Sequence, residues 1–139
     1  MTVTPWLDLA KKELGDREGR DEAKILAFFK DAGHPEIDSS QTAWCAAFTG
    51  AMLKRAGIAP SGSLMARSYL KWGVATTAKP GAVVILWRGS RASSTGHVGF
   101  VISSTSSTVT MLGGNQGAAG VVSTETVPKS RILGYRWPK

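Results

Sequence analysis

The chain has one cysteine and two histidines among its 139 residues, and no long apolar run. A single cysteine excludes an internal disulfide framework and a four-thiolate zinc site. No stretch approaches the ~18–20 apolar residues of a membrane-spanning helix, so we expect no stable membrane association. The two histidines have no acidic neighbours at the spacing of a metal site, and we expect neither a metal nor a cofactor.

Acidic residues are almost absent from the second part of the chain. Residues 1–38 hold nine acidic and six basic residues, whereas residues 39–139 hold eleven basic residues and one acid, Glu125. This imbalance favours an anionic partner such as nucleic acid, anionic lipid or the carboxylate-bearing bacterial wall, although a merely soluble basic surface explains it equally well. Lysines and arginines are scattered, without a basic helix or an aromatic–basic strand motif, which argues against nucleic-acid binding.

Helix-like patterns precede strand-like ones, within a length that suits one domain over residues 1–139. The predicted helices are Trp6–Leu14, a segment from an N-cap at Asp21 through Ala32, Thr42–Ala56, and a short Leu64–Trp72. The predicted strands are Ala82–Trp87, Val98–Ser103, Thr108–Leu112, Val121–Thr126 and Ile132–Trp137. This order predicts an α+β fold, with N-terminal helices packed on a central antiparallel sheet of about five strands.

Cys45 is the first residue capable of covalent chemistry. It lies in the first turn of the predicted Thr42–Ala56 helix, where unpaired N–H groups and the helix dipole stabilise a thiolate and lower the pKa of a thiol. The alternative is that Cys45 is a small buried hydrophobic residue, which is a common fate of a lone cysteine.

His97 and Asn115 could complete a nucleophilic arrangement with this thiol. His97 lies where a glycine-containing loop enters an apolar strand, and Asn115 lies at the end of the next strand. An imidazole that accepts a thiol proton needs an acceptor at its second nitrogen, which the Asn115 carbonyl can supply if the two strands are neighbours. A plain Gly-Gly-Asn turn is the other explanation, and the adjacent Gln116 could orient substrate.

Aromatic and basic residues near these positions could line a substrate cleft. Trp44 precedes Cys45 and can either wall the cleft or be buried against the sheet. Arg88 and Arg91 belong to a basic loop that leads to His97, and they could bind substrate carboxylates; a solvated hairpin loop is the alternative.

Several short stretches together resemble the NlpC/P60 and CHAP superfamily of papain-like cysteine peptidases and amidases, and most closely a phage- and prophage-associated CHAP-like endolysin subgroup. The resemblance spans nearly the whole chain. It rests on Pro5-Trp-Leu7, Leu14-Gly15, Trp44-Cys-Ala-Ala-Phe48, Ser68-Tyr-Leu-Lys-Trp-Gly73, Pro80-Gly-Ala-Val-Val84, Gly96-His-Val-Gly-Phe100, Leu112-Gly-Gly-Asn-Gln116 and Leu133-Gly-Tyr-Arg-Trp-Pro138.

The resemblance implies a papain-like fold and a peptidoglycan hydrolase that needs no cofactor. It implies Cys45 as nucleophile, His97 as general base, Asn115 as the residue that orients the imidazole, and the Cys45 N–H as oxyanion donor. The bond cut would be the N-acetylmuramoyl–L-alanine amide or one in the stem peptide or crossbridge. We expect a monomer whose partner is bacterial peptidoglycan and not nucleic acid.

A non-catalytic wall-binding module is the competing interpretation, because it would share the basic surface without needing Cys45, His97 and Asn115 together. The segment Met1–Ala10 has neither a basic head nor an apolar stretch, so we expect no signal peptide. The resemblance then implies synthesis in the host cytoplasm and action at the wall after assisted release.

Overall fold

Three α-helices come before the sheet in the computed structural model, which describes residues 3–38, 43–117 and 119–139. They are α1 (Pro5–Lys12), α2 (Glu22–Asp31) and α3 (Cys45–Arg55), followed by a 3-10 helix, Ala66–Lys71. Helix α1 is tied to the sheet by a hydrogen bond from Trp6 Nε1 to the Gly81 carbonyl, 2.7 Å. Asp21 occupies the N-cap position of α2 as predicted, but its carboxylate accepts from the Arg17 N–H and from Arg20 instead of capping the helix.

Helix α3 is the central helix of the fold, and its first nine residues, 45–53, are all buried. Small side chains allow this burial: a Cβ on Gly50 would lie 3.1 Å from the Ala32 Cβ and 3.2 Å from the Tyr69 hydroxyl. The helix ends just before Gly57, whose φ of 83° suits glycine and lets the Ile58 N–H bond back to the Leu53 carbonyl. Thr42, the predicted first residue of this helix, lies outside the described residues.

The second half forms a single antiparallel sheet with the strand order β1-β6-β2-β3-β4-β5. The strands are β1 (Val74–Ala75), β2 (Val83–Trp87), β3 (Gly96–Ser104), β4 (Thr108–Gln116), β5 (Val121–Pro128) and β6 (Ile132–Trp137). The α+β prediction is confirmed, with six strands in place of about five. The strand that the sequence did not predict is β1, whose two residues are too few for a periodic pattern and exist as a strand only through pairing with β6.

Alternating residues divide the apolar side chains between the two faces of the sheet. Val83 and Ile85 of β2 join the cluster formed with the helices, whereas Val84 and Leu86 belong to a second cluster on the opposite face. Among the helices of the described residues, none has both the length and the apolar character needed to cross a bilayer.

Two irregularities of the sheet lie beside the N-terminus of α3. The pairing of β3 with β4 reaches Phe100–Leu112 and goes no further toward the start of β3. The pairing of β4 with β5 shifts register between Gly113 and Gln116. These irregularities leave the start of β3 and the end of β4 unpaired with each other, and the candidate site is built there.

Candidate active site

Cys45 is the first residue of α3, and only 7% of its surface is exposed. The backbone N–H of Val98, and to a smaller extent those of Ala46 and Cys45 itself, favour the charged form of the sulfur. The N–H of Val98 can serve the thiol because β3–β4 pairing has already ended at Phe100. The sulfur therefore lies beside the peptide that follows His97.

Burial governs the titration of this thiol. Desolvation raises the pKa of Cys45 above its usual value, while the Val98 N–H and the positive charge of Arg88 lower it by less. The sequence-based expectation of a lowered thiol pKa is thus wrong in the resting structure, since the nine-residue buried stretch of α3 removes the thiol from water. The Cys45 thiol is therefore protonated and neutral at neutral pH.

His97, on β3, is buried with 1% exposure and is held by a glutamine. Its Nε2 lies 2.8 Å from Gln116 Oε1. The Gln116 amide nitrogen donates to the Ser123 carbonyl at 2.6 Å and to Ser123 Oγ at 3.1 Å, so only the amide oxygen can face the ring. This chain of bonds places the imidazole proton on Nε2 and leaves Nδ1 as an acceptor.

Arg88 donates a hydrogen bond to this acceptor, His97 Nδ1. Its Nη2 lies 3.2 Å from His97 Nδ1, and among the described residues no direct hydrogen bond joins the imidazole to the Cys45 thiol. Burial, and then the charges of Arg88 and Arg131, lower the pKa of His97 to about 4, although the bond with Gln116 opposes them. The imidazole is therefore neutral at pH 7, as a proton acceptor must be.

Asn115 does not contact the imidazole, and the prediction that it orients His97 is wrong. It lies within the register shift of β4 at a φ of 57°, and its Oδ1 would be 2.9 Å from a Cβ on Gly120. The bulge moves the next residue, Gln116, to the ring instead. Gln116 is 3% exposed and both ends of its amide are engaged, so the alternative role of orienting substrate is also wrong.

Gly113 provides the room that this glutamine needs. A Cβ on Gly113 would lie 2.9 Å from Gln116 Oε1 and 3.3 Å from His97 Nε2. The absence of a side chain at this position is a requirement of the His97–Gln116 bond.

A cleft of about 460 Å³ opens on Cys45. One wall is apolar and contains Leu64, Met65 and Ala66, with Ala43 also lining the cleft that exposes Cys45. The other wall is polar and carries Arg88 together with residues 94–96. An acyl group that enters this cleft reaches the sulfur between an apolar surface and a guanidinium.

The family model of the CHAP domain matches residues 37–115, more than half of the chain. The chain belongs to the CHAP domain family. CHAP domains are typically cysteine- and histidine-dependent amidohydrolases or peptidases, with peptidoglycan as substrate. The matched range contains Cys45 and His97 and ends one residue before Gln116. No curated protein matches the sequence.

In this CHAP domain Trp44 is a core residue. It has no exposed surface, its ring stacks on Phe28 with a centroid distance of 6.0 Å, and its Nε1 donates to Glu18 Oε1 at 3.2 Å. The assignment of Trp44 to substrate binding is therefore wrong. The alternative is burial against the sheet, and a Cβ on Gly114 of β4 would lie 2.8 Å from the Trp44 ring. Its function is to anchor the start of α3.

No sequence pattern pointed to Arg67, which holds the loop that carries Arg88. Its Nε donates to the Thr95 carbonyl at 2.6 Å, its Nη1 to the Arg91 carbonyl at 2.9 Å, and its Nη2 to the Ser90 carbonyl at 3.1 Å. Arg88 is among the residues that line the cleft, whereas Arg91 is exposed and is not among them.

His34 lies apart from the site on a loop, where its Nδ1 is 3.0 Å from Glu36 Oε2 and its Nε2 is 2.9 Å from the Gly62 carbonyl. Within the part of the chain that the structure describes, no group of three or more His, Cys, Asp or Glu side chains could hold a metal ion.

Proposed function

We propose that this CHAP domain hydrolyses an amide bond of peptidoglycan through an acyl-enzyme, with Cys45 as nucleophile and His97 as general base. Gln116 is the positioning residue of the imidazole. The observation that carries this proposal is the bond from His97 to Gln116 Oε1, because it leaves Nδ1 as a proton acceptor on the residue before Val98, whose N–H acts to lower the pKa of the Cys45 thiol.

The resting protonation states define the first step. Both groups are neutral at pH 7, so the proton passes from Sγ to His97 Nδ1 as the sulfur attacks the carbonyl carbon. The other ring proton stays on Nε2, which donates it to Gln116 Oε1. The oxyanion of the tetrahedral intermediate is stabilised by the N–H groups of Cys45 and Ala46, which have no partner within the helix because the first intrahelical bond is from Phe48 to Trp44.

The intermediate collapses when the imidazolium returns its proton to the leaving amine, and the amide C–N bond breaks. A thioester on Cys45 remains. Water, deprotonated by His97, then attacks the thioester and releases the acid. The bond cut is the N-acetylmuramoyl–L-alanine amide or a peptide bond of the stem or crossbridge.

The charge distribution agrees with the setting of a phage or prophage endolysin. Residues 39–139 carry eleven basic residues and one acidic residue, and they contain Cys45, His97 and Gln116. This surplus attracts the enzyme to an anionic wall, where it acts as a monomer after assisted release.

The test is digestion of purified peptidoglycan by the wild type, Cys45→Ala and His97→Ala, with Lys54→Ala as a charge-altering control at the exposed far end of α3. We expect new ends, identified by mass spectrometry, from the wild type and Lys54→Ala only. New lactyl ends indicate an amidase, and new peptide termini indicate an endopeptidase. Hydrolysis by Cys45→Ala at the wild-type rate contradicts the proposal; sedimentation of all proteins with the wall without cleavage identifies a binding module.

A further inference from the structure

The guanidinium of Arg88 is hydrogen-bonded to His97 Nδ1, the ring nitrogen that must accept the thiol proton. Its Nη2 donates to His97 Nδ1 at 3.2 Å, and the same side chain lines the cleft that opens on Cys45. The thiol proton can be accepted only at Nδ1, because Nε2 carries a proton bound to Gln116. In the resting structure the base is therefore occupied by a cation.

The backbone of Arg88 is anchored, but its guanidinium is not paired with an acid. The Arg88 carbonyl accepts hydrogen bonds from Ser93 Oγ at 2.8 Å and from Thr95 Oγ1 at 3.0 Å, and Arg67 binds three further carbonyls of the loop. Across residues 3–38, 43–117 and 119–139, no ion pair includes Arg88, and the residue is exposed. The side chain can thus move while the loop stays in place.

We infer that Arg88 is a specificity-determining residue that binds a carboxylate of the substrate and, by doing so, releases His97 for catalysis. This inference rests on the proposed function. A carboxylate offers two charged oxygens to the guanidinium fork, and such a pair is stronger than one bond to a neutral nitrogen. An anionic substrate in the cleft therefore displaces His97 Nδ1 as the hydrogen-bond partner of the Arg88 guanidinium.

Release of the guanidinium changes the base directly. Nδ1 becomes free to accept the thiol proton, and the nearby positive charge that disfavours an imidazolium is neutralised by the carboxylate. A substrate without the carboxylate enters the cleft but leaves Nδ1 hydrogen-bonded to Arg88. The enzyme therefore distinguishes the two substrates by kcat, the rate of the chemical step, and not by binding.

The opposite wall of the cleft adds a second requirement. Leu64, Met65 and Ala66 present an apolar surface, and Met65 is 56% exposed. The substrate class is therefore an acyl group that carries a carboxylate together with a small apolar substituent. This describes amino-acyl groups of the stem peptide that keep a free carboxylate; it excludes neutral sugars and the lactyl group of the muramoyl amide, whose one carboxyl carbon is the amide carbonyl.

The first experiment observes the imidazole without turnover. The chain has only two histidines, so ¹⁵N-histidine labelling gives two rings, and a His34→Ala variant assigns His97. At pH 7 we expect N-acetylmuramic acid, which has a carboxylate and a methyl group, to shift the His97 Nδ1 resonance toward that of a free imidazole nitrogen. N-acetylglucosamine, which lacks both groups, leaves it unchanged. Arg88→Ala has the shifted resonance without ligand, whereas Arg91→Ala has the wild-type one.

The second experiment measures kcat and KM on native peptidoglycan and on peptidoglycan whose carboxylates have been converted to amides. We expect the wild-type kcat to fall about 10- to 100-fold on the amidated wall, the size of a lost hydrogen bond to a charged group. Arg88→Ala is expected to have the same kcat on native and amidated peptidoglycan. Lys54→Ala is expected to show the same fall in kcat on the amidated wall as the wild type.

An unchanged Nδ1 resonance at saturating N-acetylmuramic acid overturns the inference, as does equal wild-type kcat on both walls. A change confined to KM also overturns it, because it reduces Arg88 to a binding residue. Failure of the proposed function is distinct: it appears as hydrolysis by Cys45→Ala, whatever the resonance of His97 does.

Discussion

His97 Nε2 lies 2.8 Å from the amide oxygen of Gln116, and the Gln116 amide nitrogen lies 2.6 Å from the Ser123 carbonyl. This relay from β5 through β4 to β3 determines which imidazole nitrogen carries the proton. We expect Gln116→Ala to lower kcat on peptidoglycan about 10- to 100-fold, because a ring in the wrong tautomer cannot accept the thiol proton.

Asn115→Gly is the matched control, because glycine tolerates the positive φ of this position. It is expected to retain most of the activity. The reverse outcome, loss of activity in Asn115→Gly with Gln116→Ala unaffected, would return the positioning role to Asn115.

Gly113→Ala tests the space around the relay. The added Cβ meets Gln116 Oε1 at 2.9 Å and His97 Nε2 at 3.3 Å, so the amide must move off the ring. We expect a loss of activity similar to that of Gln116→Ala, and a fall of about 1–3 kcal/mol in the free energy of unfolding, as for overpacking in a core. The double variant Gly113→Ala/Gln116→Ala should be no less active than Gln116→Ala alone, since the clash is gone. Additive losses would contradict this steric account.

Local patterns predicted the elements that carry the site. The helix that begins at Cys45 and the strand that begins beside His97 both follow from apolar periodicity and from glycine at their ends, which are properties of neighbouring residues. The α+β class follows from the order of these elements.

Features that depend on pairing between distant segments could not be predicted in this way. Gln116 replaces Asn115 at the ring because β4 shifts register against β5, and a bulge inverts the alternation that a single strand suggests. Likewise, the thiol pKa depends on how deeply α3 is buried, and the contact of Arg88 with His97 depends on a loop held by Arg67. Neither relationship leaves a pattern in the sequence near these residues.

The raised thiol pKa predicts slow alkylation. Because burial keeps Cys45 protonated, iodoacetamide should react at pH 7 more slowly than it does with a free cysteine, and the rate should rise as pH increases beyond the usual thiol range. The measurement is the pH dependence of carbamidomethylation by mass spectrometry, with the urea-unfolded chain as control. A rate plateau at neutral pH would indicate a resting thiolate and contradict the neutral pair.

The lowered pKa of His97 predicts that the folded protein loses stability in acid. Its pKa is about 4 in the folded state against a usual 6.5, so between these values the unfolded chain binds the additional proton. Stability is therefore lost as pH falls from 6.5 to 4, by up to about 3 kcal/mol for the full difference. Urea unfolding at several pH values should give a shallower dependence for His97→Gln than for the wild type. Equal dependence in both proteins would mean that the imidazole titrates normally in the fold.

The titration of Glu13, at the C-terminal end of α1, predicts the opposite pH dependence of the free energy of unfolding. Its hydrogen bond with Asp16, its burial and the like charge of Asp16 raise the pKa of Glu13 to about 7, although Arg55 opposes them. The folded state thus binds the additional proton, so this contribution to stability is present below pH 4.5 and is lost as pH rises through 7.

The Glu13→Gln variant removes the cost of an ionised carboxylate beside the buried Asp16. The neutral amide can also donate to Asp16 Oδ2, which has no hydrogen-bond partner among the described residues. We expect the variant to be more stable than the wild type at pH 8, with a smaller difference at pH 5, as measured by urea unfolding. Glu36→Gln, on the exposed loop beside His34, provides the comparison for loss of a carboxylate that is not forced toward its neutral form. A Glu13→Gln protein that is less stable at pH 8 would mean that the ion pair of Glu13 with Arg55, at 3.5 Å, outweighs the repulsion from Asp16.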